Sequence, residues 1–191
     1  MKPPHVPPSN PRIVVIGAGN VVFCDDGLGV HAARLLQDDT RLPGGVEILD
    51  GGTLGLTLLP YVMGASHVLI LDAIDVDEPP GTLIRMTGSE LLDMSRGRSA
   101  HQLGVVDLVA ALGLVSKELP EIVILGAQPA RTDWGARLSS QLEPALAPLA
   151  ERALAQLNTW LGEFASAFGN RAGVAVERTE AAESLEQEGG W

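Results

Sequence analysis

Cys24 is the only cysteine in the 191-residue chain. That excludes an intrachain disulfide and any zinc site built from cysteines alone, and it suits a reducing compartment. Cations are scarce: 13 Lys and Arg stand against 24 Asp and Glu, a formal net charge of -11. Such a surface repels phosphate backbones, so nucleic acid is not expected as a partner. No apolar run reaches the roughly 18 residues that a membrane span needs, so no membrane insertion is expected. The opening stretch MKPPHVPPSNPR holds no apolar segment of signal-peptide length. A soluble cytoplasmic protein is therefore expected. Familiar catalytic signatures are missing as well: there is no Gly-x-Ser-x-Gly, no HExxH and no Walker motif. Cys24 has no activating partner close in sequence and reads as a small buried hydrophobe.

What is present is a globular chain. Hydrophobic residues make up 46%, enough for a packed core without staples. Residues 1–11 hold five prolines and little to bury, and read as a flexible N-terminal arm. Apolar β-branched runs predict strands at 12–16, 46–49, 67–71, 81–86 and 120–125. Helical spacing predicts helices from Gly27 to about 38–40, over 53–63 with Thr53 as cap, and over 88–94, 103–114 and about 139–164. Pro60 is expected to kink or shorten the second of these and Pro148 to bend the last. The body of the domain is taken as 12–166. Residues 167–191 lose periodicity, gain Glu, Gly and Ala, and are expected to form a disordered acidic tail. Alternating strands and helices with short connections predict an α/β fold, its mostly parallel sheet covered on both faces. Ligands in such sheets bind outside the carboxyl ends of the strands.

Three polar clusters fall at that edge. Gly17-Ala-Gly19-Asn20 follows the first strand and suggests a dinucleotide turn, with Asp50 as the ribose acid. The third glycine is absent, Val22 standing in its place, and the helix begins late. The alternative is a tight turn that only lets the strand leave the sheet. Asp25 and Asp26 suit helix capping, Asp25 the nearer, or offer one carboxylate to a metal. Asp72 ends an apolar strand, as turn former or as site residue. His101 precedes a helix in a loop able to fold over the sheet edge, and that position is its claim as a ligand; on residue type alone a lone histidine is more often a surface or capping residue. Two carboxylates and an imidazole would make a three-ligand site with open positions, suited to Zn, Ni, Mn or Fe(II).

Six segments in register carry a family likeness. They are IVVIGAGNVVFCDDGLGV at 13–30, VEILDGGTLGLTLLP at 46–60, HVLILDAID at 67–75, PGTLIRM at 80–86, SAHQLGVVDLVAAL at 99–112 and LGAQPA at 125–130. The chain resembles the maturation proteases of [NiFe] hydrogenases from about Arg12 to Leu161. The resemblance implies a three-layer α/β/α sandwich on a twisted five-stranded sheet, of the phosphorylase/hydrolase-like kind. It implies a nickel-dependent endopeptidase that removes the C-terminal peptide of the hydrogenase large-subunit precursor after nickel insertion. The free protein is expected to be monomeric. It also implies metal binding by Asp26, Asp72 and His101, the first of which is glutamate in many relatives. The nickel would arrive with the substrate, and other divalent metals such as Zn could occupy the site. Asp50 is a further candidate for positioning substrate or water. The implied substrate-binding positions are Gly17, Gly19, Asn20, Gly51, Gly52, Thr53 and Gln102. Two other readings stay open: a nucleotide or small-ligand binding protein, and a non-catalytic chaperone of the precursor.

Overall fold

A computed structural model describes residues 11–95, 103–116 and 118–186, with side chains as far as residue 167. Five strands form one sheet: β1 (Ile13–Ala18), β2 (Val46–Gly52), β3 (His67–Ala73), β4 (Leu83–Thr87) and β5 (Glu121–Ala127). Their spatial order is β2-β1-β3-β5-β4. The first four in that order run parallel, and β4 closes the edge antiparallel to β5. The helices are α1 (Leu28–Gln37), α2 (Leu59–Val62), α3 (Gly88–Ser95), α4 (Leu103–Val115) and α5 (Leu146–Glu186).

Strand side chains alternate between faces, and here both faces are buried, so the central strands are apolar throughout. Ile13 and Val15 of β1, with Leu69 and Leu71 of β3, pack under α1 and α5, where Leu28, Leu36, Leu149, Leu157 and Trp160 complete that layer. Val14, Ile16, Val68 and Ile70 point the other way, onto Val62 of α2, Leu91 of α3 and Leu108 and Leu112 of α4. The expected sandwich is thus the observed one. At the amino end of the sheet the Trp160 indole donates to Glu121 (2.8 Å) and stacks on His67, fixing α5 across the strands.

The differences from expectation lie at element ends. β1, β2, β3 and β5 each run further toward the carboxyl edge than the apolar runs alone suggested, so Asp50 and Asp72 lie within strands. The helix expected over 53–63 is a 3-10 turn (Gly55–Leu58) followed by the short α2. Gly55 starts it in the left-handed region (φ 48°), Gly64 lies just past it at φ 77°, and Pro60 supplies no N–H for a longer helix. Thr53 therefore caps nothing. Pro148 lies in the first turn of α5, where proline is tolerated, because the stretch before Leu146 is a 3-10 turn (Glu143–Ala145). α5 continues to Glu186, into the stretch expected to be an irregular tail, where Ala, Glu and Arg are strong helix formers. The arm 1–10 and residues 187–191 lie outside the described residues.

Candidate active site

The carboxyl ends of the parallel strands meet where β1 leaves the sheet. Gly19 turns the chain at φ 111°, and its N–H donates to the Gly52 carbonyl (2.9 Å), so the loops after β1 and β2 are joined. Residues 20–23 lead into a 3-10 turn (Cys24–Gly27) that runs on into α1. Cys24 holds a left-handed backbone (φ 46°), a conformation that costs a non-glycine residue energy and recurs at functional turns. That turn sends its two acids in opposite directions.

Asp26 faces a cleft of about 130 Å³. Its Oδ2 accepts the Asn20 backbone N–H at 2.8 Å, which fixes the carboxylate against the turn. Asp72, at the end of β3, lines the same cleft and is nearly buried. Its Oδ1 accepts the Ala73 N–H at 2.8 Å. Burial, and then the charge of Asp26, push the Asp72 carboxyl up to about 7, against a smaller opposing pull from the Ala73 N–H. Two carboxylates that resist ionising together are a donor set that a cation would relieve, and the oxygens beyond those two hydrogen bonds are what it would meet. The floor is apolar, from Ile16, Ala18, Leu58, Ile70 and Leu108; Gly52, Thr53, Gly55 and Gly104 form the rim. Gly55 and Gly104 bring the 3-10 turn against the start of α4 so closely that a Cβ on Gly55 would stand 2.8 Å from the Gly104 Cα.

Asp25 does something else. It is fully buried and does not cap α1. Its Oδ2 accepts the backbone N–H of Ala130 (2.8 Å) and Arg131 (3.1 Å) and the Ser139 hydroxyl (2.8 Å); its Oδ1 accepts the Ser139 N–H (2.6 Å). The capping role expected from its position is replaced by a brace to the loop after β5. Asp25→Ala would take the shared acceptor from all four of these donors and is expected to cost about 3–5 kcal/mol, measured as a lower urea midpoint with an unchanged slope.

The other expected site residues divide. Gly19, Gly52 and Thr53 line the cleft. Gly17 and Gly51 are packing positions: a Cβ on Gly17 would stand 2.6 Å from the Ala33 Cβ, and one on Gly51 2.6 Å from the Ile16 Cγ2. Asp50 is exposed, outside that cleft, and paired with Arg34 of α1 at 2.8 Å. It shares a shallow depression with Asn20. His101 and Gln102 lie outside the described residues; among those that are described, no group of three His, Cys, Asp or Glu is placed to hold a metal. Three contributors went unmarked in the sequence: Gly104, Gln128 and Ser139. The first two fall within the HQLG and LGAQPA segments, whereas nothing around Ser139 signalled its role.

The family model described as "Hydrogenase maturation protease" matches residues 30–156. The chain belongs to this family. The matched span contains Asp72 and His101 and begins just after Asp26. The protease is 33% identical over 148 residues to the "Hydrogenase 2 maturation protease" of Escherichia coli K12, covering 76% of this chain and 90% of that one. It is 36% identical over 146 residues to the hydrogenase expression/formation protein HupM of Azotobacter chroococcum, covering 73% and 70%. Its fold superimposes on the E. coli hydrogenase maturating endopeptidase HybD with a TM-score of 0.71, at 34% identity over 78% of this chain and 93% of that one. The protease is thus a hydrolase of peptide bonds. No helix among its described residues is long and apolar enough to cross a membrane.

Proposed function

We propose that the protease removes the C-terminal peptide of a [NiFe] hydrogenase large-subunit precursor once nickel is in place, reading the nickel that the substrate carries. The observation that supports this is the convergence of Asp26 and Asp72 on one cleft whose rim includes Gly104 and Val105. His101 lies three residues before Gly104, and three residues of chain reach at most about 10 Å. Asp26, Asp72 and His101 would hold the metal, which when bound supplies positive charge able to polarise a carbonyl or activate water. Nickel and zinc both suit this oxygen and nitrogen set.

The protein's own residues do the rest. The Asn20 N–H keeps Asp26 aimed at the cleft. Burial and the Asp26 charge raise the Asp72 carboxyl to about 7, so it is partly protonated near neutral pH, and a cation carried by the substrate would favour its ionised form. The glycine rim lets a polypeptide backbone approach closely, and the apolar floor excludes water. A precursor without nickel makes none of the metal contacts and stays uncut. Purified protease mixed with nickel-loaded precursor is expected to release the C-terminal peptide, while nickel-free precursor remains intact. Equal cleavage of both would overturn nickel reading, and cleavage of neither would overturn the assignment. A non-catalytic chaperone role predicts normal maturation in cells carrying His101→Ala; the present reading predicts that uncut precursor accumulates.

A further inference from the structure

Asp26 stands between two clefts of opposite chemistry. The first, shared with Asp72, has the apolar floor described above. The second, about 350 Å³, opens toward β5 and is lined by Asp26, Ala73, Asp75, Gln128, Arg131 and Thr132, with Pro129 and Ala130 between the last three. That volume lies within the range of ligand pockets, and most of its side chains are polar.

Its wall is irregular backbone, yet it is braced from both sides by buried polar side chains. Gln128, at the end of β5, uses its amide fully: Oε1 accepts the N–H of Val76 (2.8 Å) and Glu78 (3.2 Å), while Nε2 donates to Asp75 Oδ1 (2.9 Å) and the Pro129 carbonyl (3.4 Å). From the other side Asp25 gathers the N–H groups of Ala130 and Arg131. The Asp25 N–H in turn donates to the Arg131 carbonyl at 3.2 Å. The wall is thereby tied to the same short turn that presents Asp26. Loops held this firmly beside a reacting position are built to hold something in register.

Among the described residues, Arg131 is the only basic one lining either cleft. Its Nη2 donates to the Cys24 Sγ (3.2 Å) and its Nε pairs with Asp133 (2.8 Å). These contacts engage two of its five N–H donors. The side chain is exposed at the mouth, on a protein of net charge -11.

We propose that this polar cleft is the subsite for the substrate polypeptide directly beside the scissile bond, with Arg131 as a specificity-determining residue that donates to an oxygen acceptor on that chain. The assignment rests on the protease working at Asp26 and Asp72. The acceptor is a side-chain carboxylate or a main-chain carbonyl, and the two differ in what neutralising the substrate's acids would do.

The test compares wild type with Arg131→Ala, Arg131→Lys and Arg137→Ala, using nickel-loaded precursor. Stopped-flow binding and steady-state cleavage are measured side by side, with melting temperatures as the check on folding. Arg131→Ala is expected to raise Kd and KM roughly tenfold or more with kcat within about twofold, the loss of one charge-assisted hydrogen bond. Arg131→Lys should recover part of this, and Arg137→Ala, outside the cleft, should match wild type. If the acceptor is a carboxylate, replacing the acids near the cut by their amides abolishes the difference between wild type and Arg131→Ala. If it is a carbonyl, the difference persists. Unchanged Kd and KM in a folded Arg131→Ala protein would overturn the subsite. Binding that depends on Arg131 in a wild type that never cleaves would uphold the subsite and overturn the catalytic reading.

Discussion

Asp72→Asn is expected to make the metal-free protease more stable at pH 8 while destroying its activity. Asp72 is nearly buried at the end of β3, and its folded-state pKa is raised to about 7 by burial and by Asp26. In the unfolded chain an aspartate titrates near 3.9. The neutral acid thus favours the folded state. That contribution is fully present below about pH 4 and is lost as pH rises through about 7. Asparagine keeps the shape and stays uncharged, so the variant escapes the loss. At pH 8 it should exceed wild type by on the order of 4 kcal/mol, and near pH 4 the two should converge. Urea titrations of metal-free protein across this range measure the gap. Activity should move the other way. Removing an outer-shell partner of a metal ligand costs roughly 10–100-fold, and removing Asp72, a ligand in the proposed site, should cost more. A variant both inactive and stabilised separates a functional burden from a structural one; equal stability at pH 8 would mean that Asp72 is not strained in the folded protein.

The sheet was legible because its central strands are apolar on both faces, and only a layer of helices on each side makes such runs soluble. Asp72 stood out as the acid that ends the run HVLIL, but a turn former would fit there as well, and its place in the cleft came only with the fold. Asp25 and Asp26 were harder. They are adjacent, equally charged and both near a helix start, and local pattern put the cap on Asp25. What separates them is a loop more than 100 residues away, since the Asp25 carboxylate meets Ala130 at a separation of 105. No periodicity reports a partner at that distance. The helix expected over 53–63 failed for a local reason, because two glycines with positive φ and a proline bracket it more tightly than its apolar spacing suggests. Asp50 was read from its place beside two glycines. Its side chain instead turns toward α1 and pairs with Arg34, an outcome set by the alternation of β2 and invisible without the register.

The same contrast between local pattern and long-range fit makes Gly19→Ala the most damaging change that adds only a methyl group. Gly19 sits at φ 111°, where L side chains are rarely found. A Cβ there would overlap the Asp26 carbonyl and stand 3.6 Å from Asp72 Oδ1. Backbone cannot rotate aside as a flexible side chain can, so the turn must move. Two hydrogen bonds hang on its position: Gly19 N–H to the Gly52 carbonyl and Asn20 N–H to Asp26 Oδ2. Strain and lost bonds together are expected to cost about 2–4 kcal/mol. A displacement of about 1 Å at a reacting group can cost on the order of a hundredfold in rate, and here the intruding methyl meets the backbone of Asp26 and borders the Asp72 carboxylate. Gly44→Ala is the matched control. Nothing lies within 4 Å of a Cβ at Gly44, and its φ is not positive. That substitution should be neutral or stabilise by up to about 1 kcal/mol, through the unfolded chain. Urea midpoints and cleavage rates for the pair, on the same nickel-loaded precursor, should therefore diverge in both measurements. If Gly19→Ala cleaves at the wild-type rate, the placement of Asp26 by this turn is not what the reaction needs.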